Sequence, residues 1–305
     1  MTAPAPDRFQ TTIGIDLGGT SIGLGCFDRD GHCTASASVP TPQPATPEAV
    51  TGAIAAAIED IDPDRQCGAI GVGTPGPVDA TERVALVAIN LAGWQDVPLA
   101  ANIEARCGRP VVLGNDANCA GLGEAWLGAA RWAKNSIVLT LGTGVGGAIV
   151  LGGQLFSGHR GAAGELGLIS IDPDGPECNS GNRGSLEQFC SVQAIRRDCG
   201  CEPLELAERA EAGDAEAIAY WERYGRYLGI GIANLLYVLT PEIVVLGGGI
   251  SAGIDLFLPS AMAEIDARVL PTSRVGLTVR CAELGNRAGA IGAARLAWQR
   301  FGAVE

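Results

Sequence analysis

Asp16-Leu17-Gly18-Gly19-Thr20 brings a carboxylate, two residues without side chains and a hydroxyl to one corner between two apolar stretches. Ile13 and Ile15 before it, and Ile22 and Leu24 after it, recur at period two, as in strands packed on a core. Glycines let backbone N–H groups approach a ligand closely, and successive N–H groups form a nest for an anion. Asp16 would repel a bare phosphate, so phosphate binding here requires a cation between the two. A β-hairpin with a Gly-Gly turn accounts for the segment equally well.

Further groups of this kind follow. Gly142-Thr143-Gly144-Val145-Gly146-Gly147 formally matches GxGxxG. The dinucleotide reading of that pattern needs a helix directly after the turn, and here the strand-like Ala148-Ile149-Val150-Leu151 follows. A phosphate-cradling or purely structural hairpin fits better. Asn115-Asp116 lies between a buried strand and a helix, where α/β sheets bind ligands. Asp116 there is a candidate general base, or one of the pair is simply a helix N-cap. Val244-Val245-Leu246 runs into Gly247-Gly248-Gly249, either a backbone surface for a flat ring or phosphate, or a tight strand–helix turn. Glu165 and Glu187 bracket a polar stretch. Each is a candidate acceptor for sugar hydroxyls or a solvated surface charge.

The elements that must carry these groups alternate between strand and helix. Strands are expected at 13–26, 34–39, 69–73, 111–113, 137–141, 147–151, 242–246 and 275–280. Helices are expected from Thr46–Pro47 with Thr46 as N-cap, over Leu99–Arg106 ending at Gly108, over Cys119–Leu127, Ala215–Leu239, Leu256–Arg268 and Ala288–Arg300. Shifting the first hairpin by 124 positions lays Ile13 on Ile137, Leu17 on Leu141, Gly18 on Gly142 and Gly23 on Gly147. Two copies of a strand–Gly-turn–strand unit predict a duplicated α/β architecture.

Composition bounds the function. The 305 residues carry a net charge of −13, which disfavours a nucleic-acid or anionic-membrane surface. It leaves anionic ligands open, because backbone N–H groups and Mg²⁺ can hold a nucleotide. No apolar run is long enough for a membrane helix, and MTAPAPDRFQ has no secretory pattern. The ten cysteines show no CxxC pair, which points to free thiols in a reducing, cytoplasmic compartment. Neither His32 nor His159 lies in a metal-ligand spacing.

The order of these motifs resembles the ROK family of sugar kinases. The residues that carry the resemblance are DLGGT at 16–20, GTPGPVD at 73–79, NDAN at 115–118, LGTGVGGAIVLGGQLFSG at 141–158, AGELG at 163–167, LEQF at 186–189 and LGGGI at 246–250. It spans about residues 11–298. It implies the duplicated actin-like ATPase (ribonuclease H-like) fold, two lobes around a cleft. One lobe would be 1–114 completed by 288–305, the other 115–287. It further implies that Asp116 is the base accepting the proton of the attacking sugar hydroxyl. Gly76, Asn90, Asn115, Glu165 and Glu187 match sugar-contacting positions. Gly18, Gly19 and Thr20 match the first phosphate motif, Gly142, Thr143 and Gly144 the second, and Gly247, Gly248 and Gly249 the adenosine side. Asp16 would help hold Mg²⁺, directly or through water.

The chain departs from the family pattern at its zinc site of one His and three Cys. Those positions read Leu168, Cys178, Ser180 and Ser185. Serine is a poor zinc ligand, so no zinc is expected, and Leu168 cannot make the sugar hydrogen bond of the family histidine. The resemblance implies a cytoplasmic, Mg²⁺- and ATP-dependent kinase of carbohydrate metabolism, such as glycolysis, acting on a hexose primary hydroxyl. Glucose is the first choice of acceptor; fructose, mannose and N-acetylhexosamines compete, and a non-catalytic sugar sensor is the rival class. Family repressors carry an N-terminal helix-turn-helix, for which the residues before Thr11 leave no room, so no nucleic-acid partner is expected. A homodimer is expected from the family.

Overall fold

The computed structural model describes residues 9–88 and 91–302. In the first part of the chain β1 (Thr11–Leu17), β2 (Ser21–Asp28) and β3 (Cys33–Pro40) form a meander. It is followed by α1 (Pro47–Ile61), β4 (Cys67–Thr74), β5 (Ala85–Val87), β6 (Gln95–Val97), α2 (Leu99–Cys107), β7 (Val111–Asn115) and α3 (Asp116–Trp126). The sheet order β3-β2-β1-β4-β7 is antiparallel across β1–β2–β3 and parallel across β1–β4–β7. Local chemistry sets the helix ends as expected. The Thr46 hydroxyl accepts the Ala49 N–H at 3.3 Å with Pro47 as the first helical residue, and α2 stops on Gly108 in the left-handed region, φ 64°.

The rest comprises β8 (Ser136–Leu141), β9 (Val145–Leu151), β10 (Gln154–Leu155), α4 (Glu187–Cys190), α5 (Val192–Cys199), α6 (Pro203–Glu211), α7 (Ala215–Leu239), β11 (Ile243–Gly247), α8 (Ile254–Arg268), β12 (Thr278–Cys281) and α9 (Ala288–Ala297). Strand order β9-β8-β11-β12 repeats β2-β1-β4-β7, again with an antiparallel hairpin beside parallel neighbours. The duplication expected from the Gly-cornered hairpins is therefore present at the level of the sheets. The two hairpins differ by one residue. Leu17 pairs with Ile22 and Leu141 with Val145, so the second turn is shorter and Gly23 corresponds to Gly146, not Gly147. Short β5 and β6 pair antiparallel without having been expected from the sequence, since three-residue strands carry too little alternation to read.

The described residues fall into two compact units: those within Met1–Arg131, Gly153–Ala163 and Asn286–Glu305, and those within Trp132–Gly152 and Gly164–Gly285. The boundary expected after Gly114 thus lies inside the first unit. The reason is close packing of α3 and of the sheet on α9. A Cβ on Gly292 would lie 1.6 Å from the Cys119 carbonyl oxygen, and one on Gly14 or Gly71 would lie 1.8 Å from the carbonyls of Ala290 or Ala293. Small residues let these backbones touch, and dispersion over the contact holds them. In the second unit the buried Trp221 and Tyr224 of α7 pack with Phe257 of α8, with Tyr224–Phe257 ring centroids 5.0 Å apart. Among the described residues no helix is long and apolar enough to cross a membrane, and the ten cysteines are free.

Candidate active site

Register brings the first unit's candidate residues to one edge. Asp16 at the end of β1 lies opposite Gly73 of β4, and Thr74 of β4 lies opposite Asn115 at the end of β7. Asp16 and the Asn115-Asp116 pair therefore share the carboxyl edge of a parallel sheet, the usual ligand-binding edge of such sheets.

Asp16 is half-buried, and α9 closes over it. A Cβ on Gly289 would sit 2.6 Å from the Asp16 Cγ and 2.7 and 2.9 Å from its two oxygens. Burial pushes the Asp16 carboxyl up to about 6, and the neighbouring Asp116 charge adds to the rise. Asp116 is also raised, chiefly by burial among protein atoms and against the pull of hydrogen bonds from the Ala117 N–H and Asn115. Its side chain is nevertheless open to solvent and so accessible to a substrate.

The sequence left open whether Asn115 or Asp116 caps α3. Asn115 does: its Oδ1 accepts the N–H groups of Ala117 and Asn118 at 3.0 and 3.2 Å. Its Nδ2 donates to the Gly76 carbonyl at 3.1 Å. Asn115 thus ties the helix start to the Gly76 loop, and Asp116 is freed from the main capping task. Gly76 has φ +79°, and a Cβ there would lie 2.0 Å from the Val87 carbonyl oxygen, so only glycine fits. Asn90 lies outside the described residues.

The turn after β1 is folded on itself. The Gly18 N–H donates to the Ser21 carbonyl at 2.9 Å, and Thr41 secures the outside through its hydroxyl to Gly18 O (2.7 Å) and its N–H to Thr20 O (3.0 Å). Among the described residues the Gly19 and Thr20 N–H groups donate to no backbone carbonyl. That is the condition for an anion nest.

In the second unit the turn after β8 repeats this plan. Gly142 N–H donates to Gly144 O at 2.9 Å, and the Thr143 and Gly144 N–H groups have no backbone acceptor among the described residues. Glu187 sits against it: its Oε2 accepts the Val145 N–H at 3.0 Å. Glu165 is exposed and heads a 3₁₀ turn, Leu166–Leu168. Its neighbours Gly164 and Gly167 press on β9, where a Cβ on Gly167 would lie 2.0 Å from Val145 O. Gly247 ends β11 beside Thr140 of β8. Gly248, at φ +83°, leaves no room for a Cβ against Leu141, and Gly249 opens a 3₁₀ turn. The two glycine corners of this unit therefore share the carboxyl edge of its parallel strands.

The loop at the family zinc positions is held by hydrogen bonds. Cys178 N–H donates to Asn182 O, Gly184 N–H to Pro176 O, Asn182 Nδ2 to Leu168 O and the Ser180 hydroxyl to the Cys178 sulfur at 3.3 Å. Burial tends to raise the Cys178 thiol, but hydrogen bonding from Ser180 outweighs it and lowers the pKa. One thiol, two hydroxyls and an aliphatic chain do not fit a structural zinc ion.

Sequence reasoning missed a small pocket of about 50 Å³ in the first unit, beside Asn115 and lined also by Asp79, Glu82, Asn118, Ser157 and His159. Asn118 Oδ1 is buried there without a protein partner, and Glu82 takes a left-handed φ of 60°. Asn118 lay in the NDAN motif, but nothing in its local spacing pointed inward. His32 was expected to stand apart from other metal ligands. It instead shares a turn with Asp28 and Asp30, within 4.8 Å of one another, because Asp28 accepts the Asp30 and His32 N–H groups and pairs with the His32 ring.

The pattern of the ROK family matches residues 12–300. A glucokinase of Streptomyces coelicolor is 36% identical over 94% of this chain and 97% of its own. An N-acetyl-D-glucosamine kinase of Pasteurella multocida is 33% identical over 93% and 98%. Among solved structures, a ROK family glucokinase from Streptomyces griseus in complex with glucose and AMPPNP superposes with a TM-score of 0.76 at 34% identity, covering 95% of this chain and 99% of that one.

Proposed function

Because the chain belongs to the ROK family and is an ATP-dependent sugar kinase, we propose that its acceptor is the primary hydroxyl of glucose and its product glucose 6-phosphate. The observation that carries the mechanism is the accessible Asp116 carboxylate beside Asp16 on one sheet edge. Asp116 orients the sugar hydroxyl and takes its proton as the oxygen–phosphorus bond forms and the bond to ADP breaks. Burial raises the Asp116 pKa, which makes it a better base than an ordinary carboxylate. In the first unit the N–H groups of Gly19 and Thr20 are the donors for phosphate oxygens; in the second, those of Thr143 and Gly144 are, and the Gly247–Gly249 corner takes the adenosine. Gly76, Asn90, Asn115, Glu165 and Glu187 contact the sugar.

A carboxylate whose charge is made costlier by burial and by the neighbouring Asp116, and which offers hard oxygen donors, suits Mg²⁺. Asp16 would hold it, directly or through water, and the ion supplies charge neutralisation on the phosphates. The Leu168 position offers no hydrogen bond to the sugar, so we expect a weaker hold on that end, by about 0.5–1.5 kcal/mol.

The test is a coupled ADP-release assay over glucose, fructose, mannose and N-acetylhexosamines, with wild type and Asp116→Asn. Glucose should be the best acceptor. The variant should lose about 10²- to 10⁴-fold in turnover while still binding sugar by calorimetry. Wild-type turnover in Asp116→Asn would remove Asp116 as the base, and a higher kcat/KM on an N-acetylhexosamine would reassign the substrate.

A further inference from the structure

The second glycine turn is clamped at both ends by one segment. Its first carbonyl, Gly142 O, accepts the Val192 N–H at 2.8 Å, and its last N–H, on Val145, is held by Glu187 Oε2 at 3.0 Å. Glu187 and Val192 are five residues apart, across α4 and the start of α5. The carboxylate also lies flat on the turn: a Cβ on Gly144 would come within 2.2 Å of Oε2 and 3.0 Å of Cδ. A side chain at 144 would push the Glu187 carboxylate off the turn, and a positive φ is not the reason for glycine, since Gly144 is not among the residues with one.

Glu187 therefore divides its two oxygens. Oε2 is committed to the turn, and Oε1 accepts no hydrogen bond among the described residues. A bare carboxylate is an odd neighbour for a turn whose open N–H groups face an anion, because it opposes the charge the turn is built to hold. A hydroxyl donating to Oε1 would spread that charge and fix the side-chain rotamer without disturbing the Val145 bond.

We propose that Glu187 is a positioning residue for the second phosphate turn as well as a sugar ligand, so that acceptor and nucleotide binding are coupled through one carboxylate. The coupling rests on the reading that Glu187 meets the sugar. Its consequence is synergy: sugar on Oε1 lowers the repulsion felt by phosphate at Thr143 and Gly144, and phosphate there strengthens the sugar contact by the same factor.

The test is calorimetric titration of AMPPNP, with Mg²⁺, into wild type, Glu187→Ala and Glu187→Gln, each with and without the acceptor selected by the sugar panel. In wild type the sugar should tighten AMPPNP about fivefold or more. Glu187→Ala frees the Val145 N–H and should weaken AMPPNP even without sugar, with the sugar effect gone. Glu187→Gln keeps a carbonyl oxygen for Val145. It should hold sugar-free AMPPNP affinity within about twofold of wild type or better, with its sugar affinity reduced. That rescue separates the hydrogen bond to the turn from a general loss of structure, and it remains readable if the alanine variant does not fold. Unchanged AMPPNP affinity in Glu187→Ala beside a raised sugar KM would overturn the proposal and leave Glu187 a sugar ligand alone. A glutamine variant as weak for AMPPNP as a folded alanine variant would also overturn it. Failure of the kinase reading shows separately, as no turnover on any sugar of the panel.

Discussion

Replacing Gly289 by alanine adds one methyl group directly against the Asp16 carboxylate. The new Cβ would lie 2.6 Å from Cγ and 2.7 Å from the nearer oxygen, roughly 1 Å inside the 3.5–4.0 Å of an ordinary carbon contact. Something must yield. The α9 backbone cannot, because the same helix is pinned at Gly14, Gly71 and Gly292 by carbonyls that already leave no space. The Asp16 side chain is short but rotatable, so it should retreat by about 1 Å. Strain of this size costs about 1–3 kcal/mol, and glycine-to-alanine in a helix returns about 1 kcal/mol. The net cost to stability is therefore small, and the melting temperature should fall by no more than a few degrees. Function should respond much more, since a 1 Å misplacement of a catalytic group costs on the order of 10²-fold. The assay is kcat as a function of Mg²⁺ concentration, beside a thermal melt. The expected result is a near-native melt, a raised Mg²⁺ requirement and kcat reduced about 10²-fold. Wild-type kinetics with a near-native melt would show that Asp16 has no role in catalysis or that α9 gives way. A collapse of the melt would show that the strain falls on the backbone.

Two further outcomes follow from the same geometry. Burial lifts Asp16 to about 6 and Asp116 above the ordinary carboxylate range; the proposed mechanism needs both as anions, so kcat/KM should fall as pH drops through about 6. A profile flat down to pH 5 would contradict this. Elemental analysis of protein purified without chelator should find zinc well below one per chain, since Leu168, Cys178, Ser180 and Ser185 supply one thiolate; stoichiometric zinc would mean other ligands are recruited.

Much of the scaffold was legible because it is written locally. Alternating apolar residues gave β1, β2, β8 and β9, and α7 has the expected limits of Ala215 and Leu239. Thr46, Pro47 and Gly108 carry their capping chemistry in their own side chains or lack of one. What escaped depended on three-dimensional company. Asn115 and Asp116 are equally good caps by type, and the nearby Gly76 carbonyl engages the Asn115 amide that caps α3. The 124-residue offset holds along β1 and β8 but slips by one beyond the turns, because a glycine turn can lose a residue without disturbing either strand. Glu187 could be read as a ligand, but its bond to Val145, 42 residues earlier, has no trace in spacing. The raised pKa of Asp16 was invisible for the same reason, since the helix pressing on it belongs to the far end of the chain.

That last feature has a meaning in time. During synthesis β1, β4 and β7 emerge early, while the helix that lies on Gly14 and Gly71 comes after more than half the chain has been made. The sheet must wait with its small-residue groove uncovered, a contact of very long range and so slow to form. The second unit has time to fold meanwhile, as domains do during translation. A nascent chain stalled before residue 288 would therefore hold a nearly finished second unit and an Asp16 more open to water, with its acidity closer to that of an ordinary carboxylate. On the role proposed for Asp16, catalytic competence would be acquired last, on arrival of the helix that lies against its carboxylate.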